Sequence, residues 1–500
     1  MNQDNGGIIG KINTPTTTVA SGIWSLDSQF DSQSSSVWPL AFPQTTFANS
    51  ARWNRADSPY LSKTFSSAGN RDKWTFSCWV KKCKTGVEQR LLTTSDNSSF
   101  DDNIRFNSDD TFNVICNNAT VLKTNRVFRD TSAFYYISVV WDSGNSTSGD
   151  RCKLFVNGVR ETSFSTESYP SQNQDSYINN NTAHYIGVTN ATANSHHLDG
   201  YLTEVIFVDG QALDPTSFGA TNPVSNIWEP IAYTGSYGTN GFRFDFANSA
   251  ELGTDVSGNS NTFSETNLTT ADQSTDTCSN NFCTLNPLIY VPNPATFSEG
   301  NAKFVKTSTG VGHGSDTIST MGAKSGKWYF EMKTVTSTSF YLGMLGDNHT
   351  IANSNGDIGG PNIHTVNPDP SFGDTVNNNG TYTSISLDYS TNDIFGMAYD
   401  LDNGKWYFHI NGTYFNSGDP TSGSTGTGSM GNITTGTLFY LPFAGGGSYN
   451  HQHTFEFNFG NPAFSISSGN ADANGFGNFE YAVPSGYFAL CTKNLAEFGG

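Results

Sequence analysis

The stretch Lys405-Trp406-Tyr407-Phe408-His409-Ile410-Asn411-Gly412 opens on KWYF, and the same four letters stand at Lys327 to Phe330. Alternation with period two puts Trp406, Phe408 and Ile410 on one face of a strand, and Asn411-Gly412 then turns the chain with a strong hairpin signal. In the other copy Trp328, Phe330 and Met332 make the same face, opposite Tyr329, Glu331 and Lys333. Lys73-Trp74-Thr75-Phe76-Ser77-Cys78-Trp79-Val80 repeats the pattern through Trp74, Phe76, Cys78 and Val80, while Leu154 and Val156 lead into Asn157-Gly158. Gly241 to Asn248 and His453 to Asn461 look like matching closing strands, each with three Phe on one face. The steps from Lys73 to Lys153 and from Lys327 to Lys405 are both about 80 residues. The pattern predicts two β-sandwiches of comparable strand order, with a period far too long for a solenoid.

Composition agrees with a nearly all-β chain. At 500 residues there is too much chain for one core. Charged residues are only 14%, and the Gly, Asn, Ser and Thr that replace them disfavour helices. Phe (37), Tyr (21) and Trp (9) supply a ring-rich core. The net charge of −19 repels phosphate backbones and anionic lipid, so neither a nucleic acid partner nor membrane insertion is expected. No apolar run approaches the 18 or so residues of a membrane span, and MNQDNGGIIG has no secretory pattern. Seven cysteines include two C-x4-C pairs, Cys78 with Cys83 and Cys278 with Cys283. Strand parity turns Cys78 and Cys83 to opposite faces, so free thiols made in a reducing cytoplasm are preferred to zinc.

These features divide the chain into an N-terminal arm (1–44), a first sandwich (45–252), a linker (253–294), a second sandwich (295–470) and a C-terminal extension (471–500). The linker reading rests on the Thr, Asn, Ser and Asp of its first half and on Pro287, Pro292 and Pro294 in its second. The arm carries apolar residues in a segment too short to bury them alone, as expected of a segment tied down by a partner.

The second half resembles a SPRY domain through Ser325-Gly326-Lys327-Trp328-Tyr329-Phe330-Glu331, Asp393 to Asp400, Asn403 to Phe408 and Tyr440-Leu441-Pro442-Phe443. The first half resembles a laminin-G or concanavalin A-like domain through Trp74 to Val80, Leu154 to Gly158 and Leu198 to Phe207. These resemblances imply an all-β fold of two concanavalin A-like jelly-roll sandwiches in tandem, with an extended N-terminal anchoring arm. GGIIGKINTPTTTVASGIWSL, joined to this pair, resembles the leading segment of virion proteins of tailed phages. That resemblance implies a tail or head fibre, made in the host cytoplasm and carried on the virion. Its arm would dock to other virion proteins through Ile8, Ile9, Ile12, Pro15, Ile23, Trp24 and Leu26, and its sandwiches would contact a host-surface glycan. A closed homo-oligomer is the expected assembly. A capsid decoration or cementing protein and a glycan depolymerase stand as alternatives.

A sandwich glycosidase needs two facing carboxylates, yet the residues two after Glu204 and Glu456 are Ile206 and Asn458. Glu331 is followed by Lys333, which reads as a surface charge pair. There is no Gly-x-Ser-x-Gly elbow, and no enzyme is expected. Ca2+ is the cofactor to weigh, at Asp255, Asn259 and Asn261; Asx turns account for the same letters and are favoured. Sugars stack on rings and pair with planar polar groups, so the ligand candidates are His196, His197, Tyr449, His451 and His453 in loop-like sequence.

Overall fold

The computed structural model describes residues 45–96, 99–223, 225–289, 295–306, 316–336, 339–348, 361–446 and 452–499. The arm residues and the candidates Tyr449 and His451 lie outside them. The chain forms two compact units, and the smaller one includes Pro215–Thr234. Within it Gly219–Thr221 pairs with Trp228–Pro230, and Thr45 N–H donates to the Pro230 carbonyl at 3.2 Å. This segment was expected inside the first sandwich. Both sandwiches belong to the larger unit, Phe47–Asp214 with Gly235–Gly500.

One sheet of the first sandwich runs Val159–Arg160, Cys152–Val156, Tyr135–Asp142, Lys73–Lys82, Gly200–Asp209, Ser50–Trp53 and Gln273–Ser274, with Phe242–Phe244 also pairing to Gly200–Asp209. The facing sheet runs Phe164–Glu167, Ala119–Val127, Thr111–Cys116, Asp101–Phe106, Gln89–Ser95, Ala183–Ile186, Tyr60–Thr64 and Ser264–Thr266. Trp74, Phe76, Cys78 and Val80 from one sheet share a dry core with Leu92, Ile104, Val114 and Leu122 from the other. Trp74 stacks on Trp141 at 6.0 Å, as flat rings on neighbouring strands do. Cys78 sits in that core, Cys83 lies past its strand's end, and all seven thiols are free.

The second sandwich repeats the order. Its larger sheet runs Thr413–Tyr414, Lys405–Ile410, Ile394–Asp400, Lys327–Thr334, His453–Asn458, Lys303–Lys306 and Ala295–Ser298. The other runs Asp316–Ile318, Tyr440–Gly446, Phe340–Gly346, Ile363–Asn367, Thr375–Asn378 and Thr381–Ser384. The first KWYF therefore corresponds to Lys73–Phe76, and the second to Arg151–Leu154, with Trp406, Phe408 and Ile410 at the places of Cys152, Leu154 and Val156 before the hairpin. Both hairpins turn at Asn-Gly with positive φ, 48° and 76° at Asn157 and Gly158, 48° and 84° at Asn411 and Gly412. In each, the Asn side chain accepts the N–H of the next strand over, Tyr136 at 2.8 Å and Ile394 at 3.0 Å.

The positional counterpart of His453–Asn458 is Gly200–Asp209, since each flanks the central strand; Phe242–Phe244 is a side branch. The three Phe of each expected closing segment are nevertheless all in a core. Residues 264–274, expected in the linker, contribute Ser264–Thr266 and Gln273–Ser274 to the two sheets of the first sandwich. The expected C-terminal extension also belongs to the fold. Phe488–Ala489 pairs in parallel with Lys327–Thr334, and Phe479, Tyr487 and Cys491 cover the sheet face bearing Tyr329 and Tyr407. No helix among the described residues is long and apolar enough to cross a membrane.

The sandwiches are joined through polar groups. Lys81 donates to Asp276 at 2.9 Å, Asn281 at 2.8 Å and the Phe282 carbonyl at 3.2 Å, with both charged side chains fully buried. Asn301 donates to the Cys83 carbonyl at 2.9 Å, and Asn461 joins Ser274 at 2.8 Å to the Tyr201 hydroxyl at 3.0 Å. Lys81→Met strands the Asp276 carboxylate and should lower stability by about 3–5 kcal/mol, whereas Lys81→Met with Asp276→Leu should recover most of that loss. Urea unfolding of the full chain measures both.

Candidate ligand-binding face of the first sandwich

The strands Gln89–Ser95, Asp101–Phe106 and Thr111–Cys116 send Leu92, Ile104 and Val114 to the core. Alternation leaves Asn103, Arg105, Asn113 and Ile115 on the opposite face. A register shift between Arg90 and Leu92 keeps Arg90 and Thr93 on that same face. The ladders set two rows side by side: Arg90 opposite Arg105 and Arg105 opposite Asn113, then Tyr185 opposite Thr93, Thr93 opposite Asn103 and Asn103 opposite Ile115.

Charges gather at one end of these rows. Glu88 accepts from Arg90 at 2.9 Å and Arg105 at 3.1 Å, and Arg90 also lies 3.3 Å from Asp101. Arg55 donates to the carbonyls of Glu88 at 2.9 Å and His197 at 2.6 Å. The His196 Nδ1 is 2.9 Å from the Thr189 hydroxyl and 3.7 Å from Glu88. Burial lowers the His196 pKa despite the opposing pull of Glu88.

The floor is polar and incompletely satisfied. Arg90 Nε, Thr93 Oγ1, Asn103 Oδ1 and Asn113 Oδ1 are buried without a hydrogen-bond partner. Each such group costs about 1–3 kcal/mol when nothing meets it. Three oxygens and one N–H donor on one face suit hydroxyl groups, which both donate and accept. The half-buried Arg105, Tyr185 and Ile115 stand among them, and Tyr60 packs edge-on to Tyr185 at 6.1 Å.

Of the expected ligand residues, His196 reaches this face. His197 is 4% exposed and turns its Nδ1 to the Pro59 carbonyl at 3.3 Å. His453 is fully buried on its strand in the second sandwich, stacked against Phe455 at 5.6 Å. Neither is open to a ligand, since His197 lies in a buried loop and His453 on a buried strand. Arg90, Asn103, Arg105 and Asn113 escaped the sequence reading, although Asn and Arg at alternate positions beside inward Ile and Val were a usable signal.

The Asp255 segment is a hydrogen-bonded turn. The Asp255 carboxylate accepts from Arg243 N–H, Ser257 N–H, the Ser257 hydroxyl and Asn261 N–H at 2.7–2.9 Å. The amide groups of Asn259 and Asn261 donate to the Gly241 carbonyl, each at 2.9 Å. These contacts account for all three residues without an ion. The groups of Asp, Glu, His and Cys among the described residues include none of three or more suited to a metal.

The strand carboxylates are structural. Glu204, at a bulge with φ 50°, makes two 2.9 Å contacts with Arg243. Glu331 is fully buried, so the expected surface pair with Lys333 does not exist. It accepts from Tyr329 OH at 3.0 Å, Asn458 at 2.9 Å, and the N–H groups of Glu480 at 3.0 Å and Tyr481 at 2.8 Å. His409 accepts Gly412 N–H at Nδ1, so its Nε2–H donates to Tyr329 OH at 2.7 Å. Gly396 opposite must lack a side chain, since a Cβ would stand 1.9 Å from His409 Nε2.

Residues 56–217 match the profile of the Concanavalin A-like lectin/glucanases superfamily. Three solved structures are similar to parts of the chain. The SPRY domain of human HERC1 is 12% identical, with 33% of this chain and 91% of that one covered at a TM-score of 0.25. The TRIM65 PSpry domain is 13% identical, covering 35% and 88% at 0.26, and stonustoxin is 17% identical, covering 35% and 27% at 0.26. No curated protein matches the chain.

Two outcomes test the buried network. Glu331→Ala leaves the N–H groups of Glu480 and Tyr481 unmet and should make residues 476–491 cleavable in limited proteolysis while the first sandwich stays intact. Burial holds the His409 pKa down to about 3, below the ~6.5 of an unfolded imidazole. A group lowered by folding lends stability above its unfolded value and loses it as pH falls toward its folded one. Protection factors for hydrogen exchange at Glu480 and Tyr481, taken against the intrinsic rate at each pH, should therefore fall from about pH 6.5 toward 3, and less so in His409→Gln.

Proposed function

We propose that the protein is a non-enzymatic binding protein, and that its first sandwich holds a hydroxyl-rich glycan on the face bearing Arg90, Thr93, Asn103, Arg105 and Asn113. The observation that carries this reading is the set of four buried polar atoms there without a partner in the protein. Sugar hydroxyls would meet them, the guanidinium groups would supply planar donors, and Tyr185 would offer a ring for stacking. A chain with net charge −19 that collects Arg55, Arg90 and Arg105 at one place has reason to do so.

The setting in this reading is the surface of a phage particle, as a tail or head fibre that attaches to host glycan. It is supported by the resemblance of the first 40 or so residues to virion leading segments. Individual contacts would be weak, and several copies, held as a closed homo-oligomer, would make them effective.

Isothermal titration of the protein with purified host-surface glycan tests the site. Asn103→Ala and Asn113→Ala should each weaken binding about tenfold, and glycan binding indifferent to both would reject the assignment. Release of reducing ends from the glycan would mark a depolymerase instead. Removal of residues 1–40 should leave both sandwiches folded and abolish incorporation into particles, which immunoblotting of purified particles would reveal.

A further inference from the structure

A cleft of about 1030 Å³ opens where the two sandwiches meet, at the top of the size range of small-molecule sites. One wall is the 267–275 segment of the first sandwich, with Arg52 beside it; the other includes Glu299, Lys333, Glu456 and residues 461–466. The walls are pinned. Arg52 donates from Nη1 to the Pro462 carbonyl at 2.8 Å and from Nη2 to the Ala271 carbonyl at 3.0 Å, and Ser274 bonds Asn461. The cleft is therefore preorganised, and a ligand entering it need not hold the sandwiches together.

Its chemistry narrows the ligand. Four carboxylates and two cations line it, which disfavours an anion. Most of those charges are already engaged: Glu299 with Arg52 at 3.2 Å, Glu456 with Lys303 at 2.9 Å, and Asp272 with the Thr269 N–H at 2.7 Å. Asp57 accepts from Asn54 at 2.8 Å, and the Lys333 ammonium lies over the Phe464 ring at 5.9 Å. What remains for a ligand is uncharged, namely the hydroxyls and amides of residues such as Thr270, Ser465 and Asn478. Arg52, only 5% exposed, keeps a buried Nε–H with no partner at this surface.

We propose that this cleft is a second binding site, separate from the sheet face, that takes a neutral oligosaccharide between the two sandwiches. Hydroxyls of the sugar pair with the amide and hydroxyl walls and accept the Arg52 Nε–H. The site depends on the tandem arrangement, because neither sandwich alone supplies both walls.

The test is calorimetric titration of the full chain with maltohexaose, cellohexaose, laminarihexaose and N-acetylchitohexaose. Thr270→Trp and Ser465→Trp, at exposed positions on opposite walls, fill the cleft without touching either core. At least one hexasaccharide should bind. Both Trp variants should weaken it by about tenfold or more with unchanged melting temperature, and Arg105→Ala should leave it unaltered. Absence of binding by all four at millimolar concentration overturns the proposal, as does binding that survives both Trp variants. Binding lost in Arg105→Ala and kept in both Trp variants overturns the cleft while leaving the sheet-face reading intact.

Discussion

A strand buried on both faces must find a partner for every polar group it turns away from the core, and two central strands of this protein are so placed. In Lys73–Lys82 every residue after Lys73 is buried, and in Lys327–Thr334 only Lys327 and Lys333 escape. The first meets this constraint at the junction, where Asp276, Asn281 and the Phe282 carbonyl surround the Lys81 ammonium. The second meets it under the C-terminal strap, whose N–H groups close on Glu331. One carries a buried cation and the other a buried anion, on corresponding strands of the same topology though not at matching positions. Removing charges of this kind from water costs several kcal/mol each, so their partners are fixed in place.

That solution ties distant parts of the chain together. The segment around Asp276 is at once the last strand of the first sandwich's sheet, the counter-ion of its central strand and the lead into the second sandwich. Tandem sandwiches joined in this way behave as one body, which is why a cleft between them keeps its shape. The strap plays the matching part at the far side, bringing Phe479, Tyr487 and Cys491 over rings that a simple sandwich would leave wet.

On the first sandwich's other sheet the polar groups are buried as well, and there four of their atoms remain unmet. Arg90, Thr93, Asn103 and Asn113 sit on a ladder whose inward neighbours are ordinary core residues. A rigid sheet holds these groups at fixed spacing, the arrangement a weak and repeated binder needs. The concentration of arginine near Glu88 makes this face differ in charge from the acidic chain around it.

Period-two alternation and the two Asn-Gly turns made the all-β class, the paired sandwiches and their core faces readable from the letters alone, because pleating and turn geometry are local properties. Simple alternation places Tyr329 and Tyr407 on the outer face and hides that they have cover of their own. The burial of Glu331, the enclosure of His197 and His453, the strands within 264–274 and the grouping of Arg90, Asn103, Arg105 and Asn113 were out of reach. Each depends on which remote segment lies across a face or on how neighbouring strands are registered. Those pairings join residues up to 200 and more positions apart, as in Lys81 with Phe282, and no local periodicity encodes them.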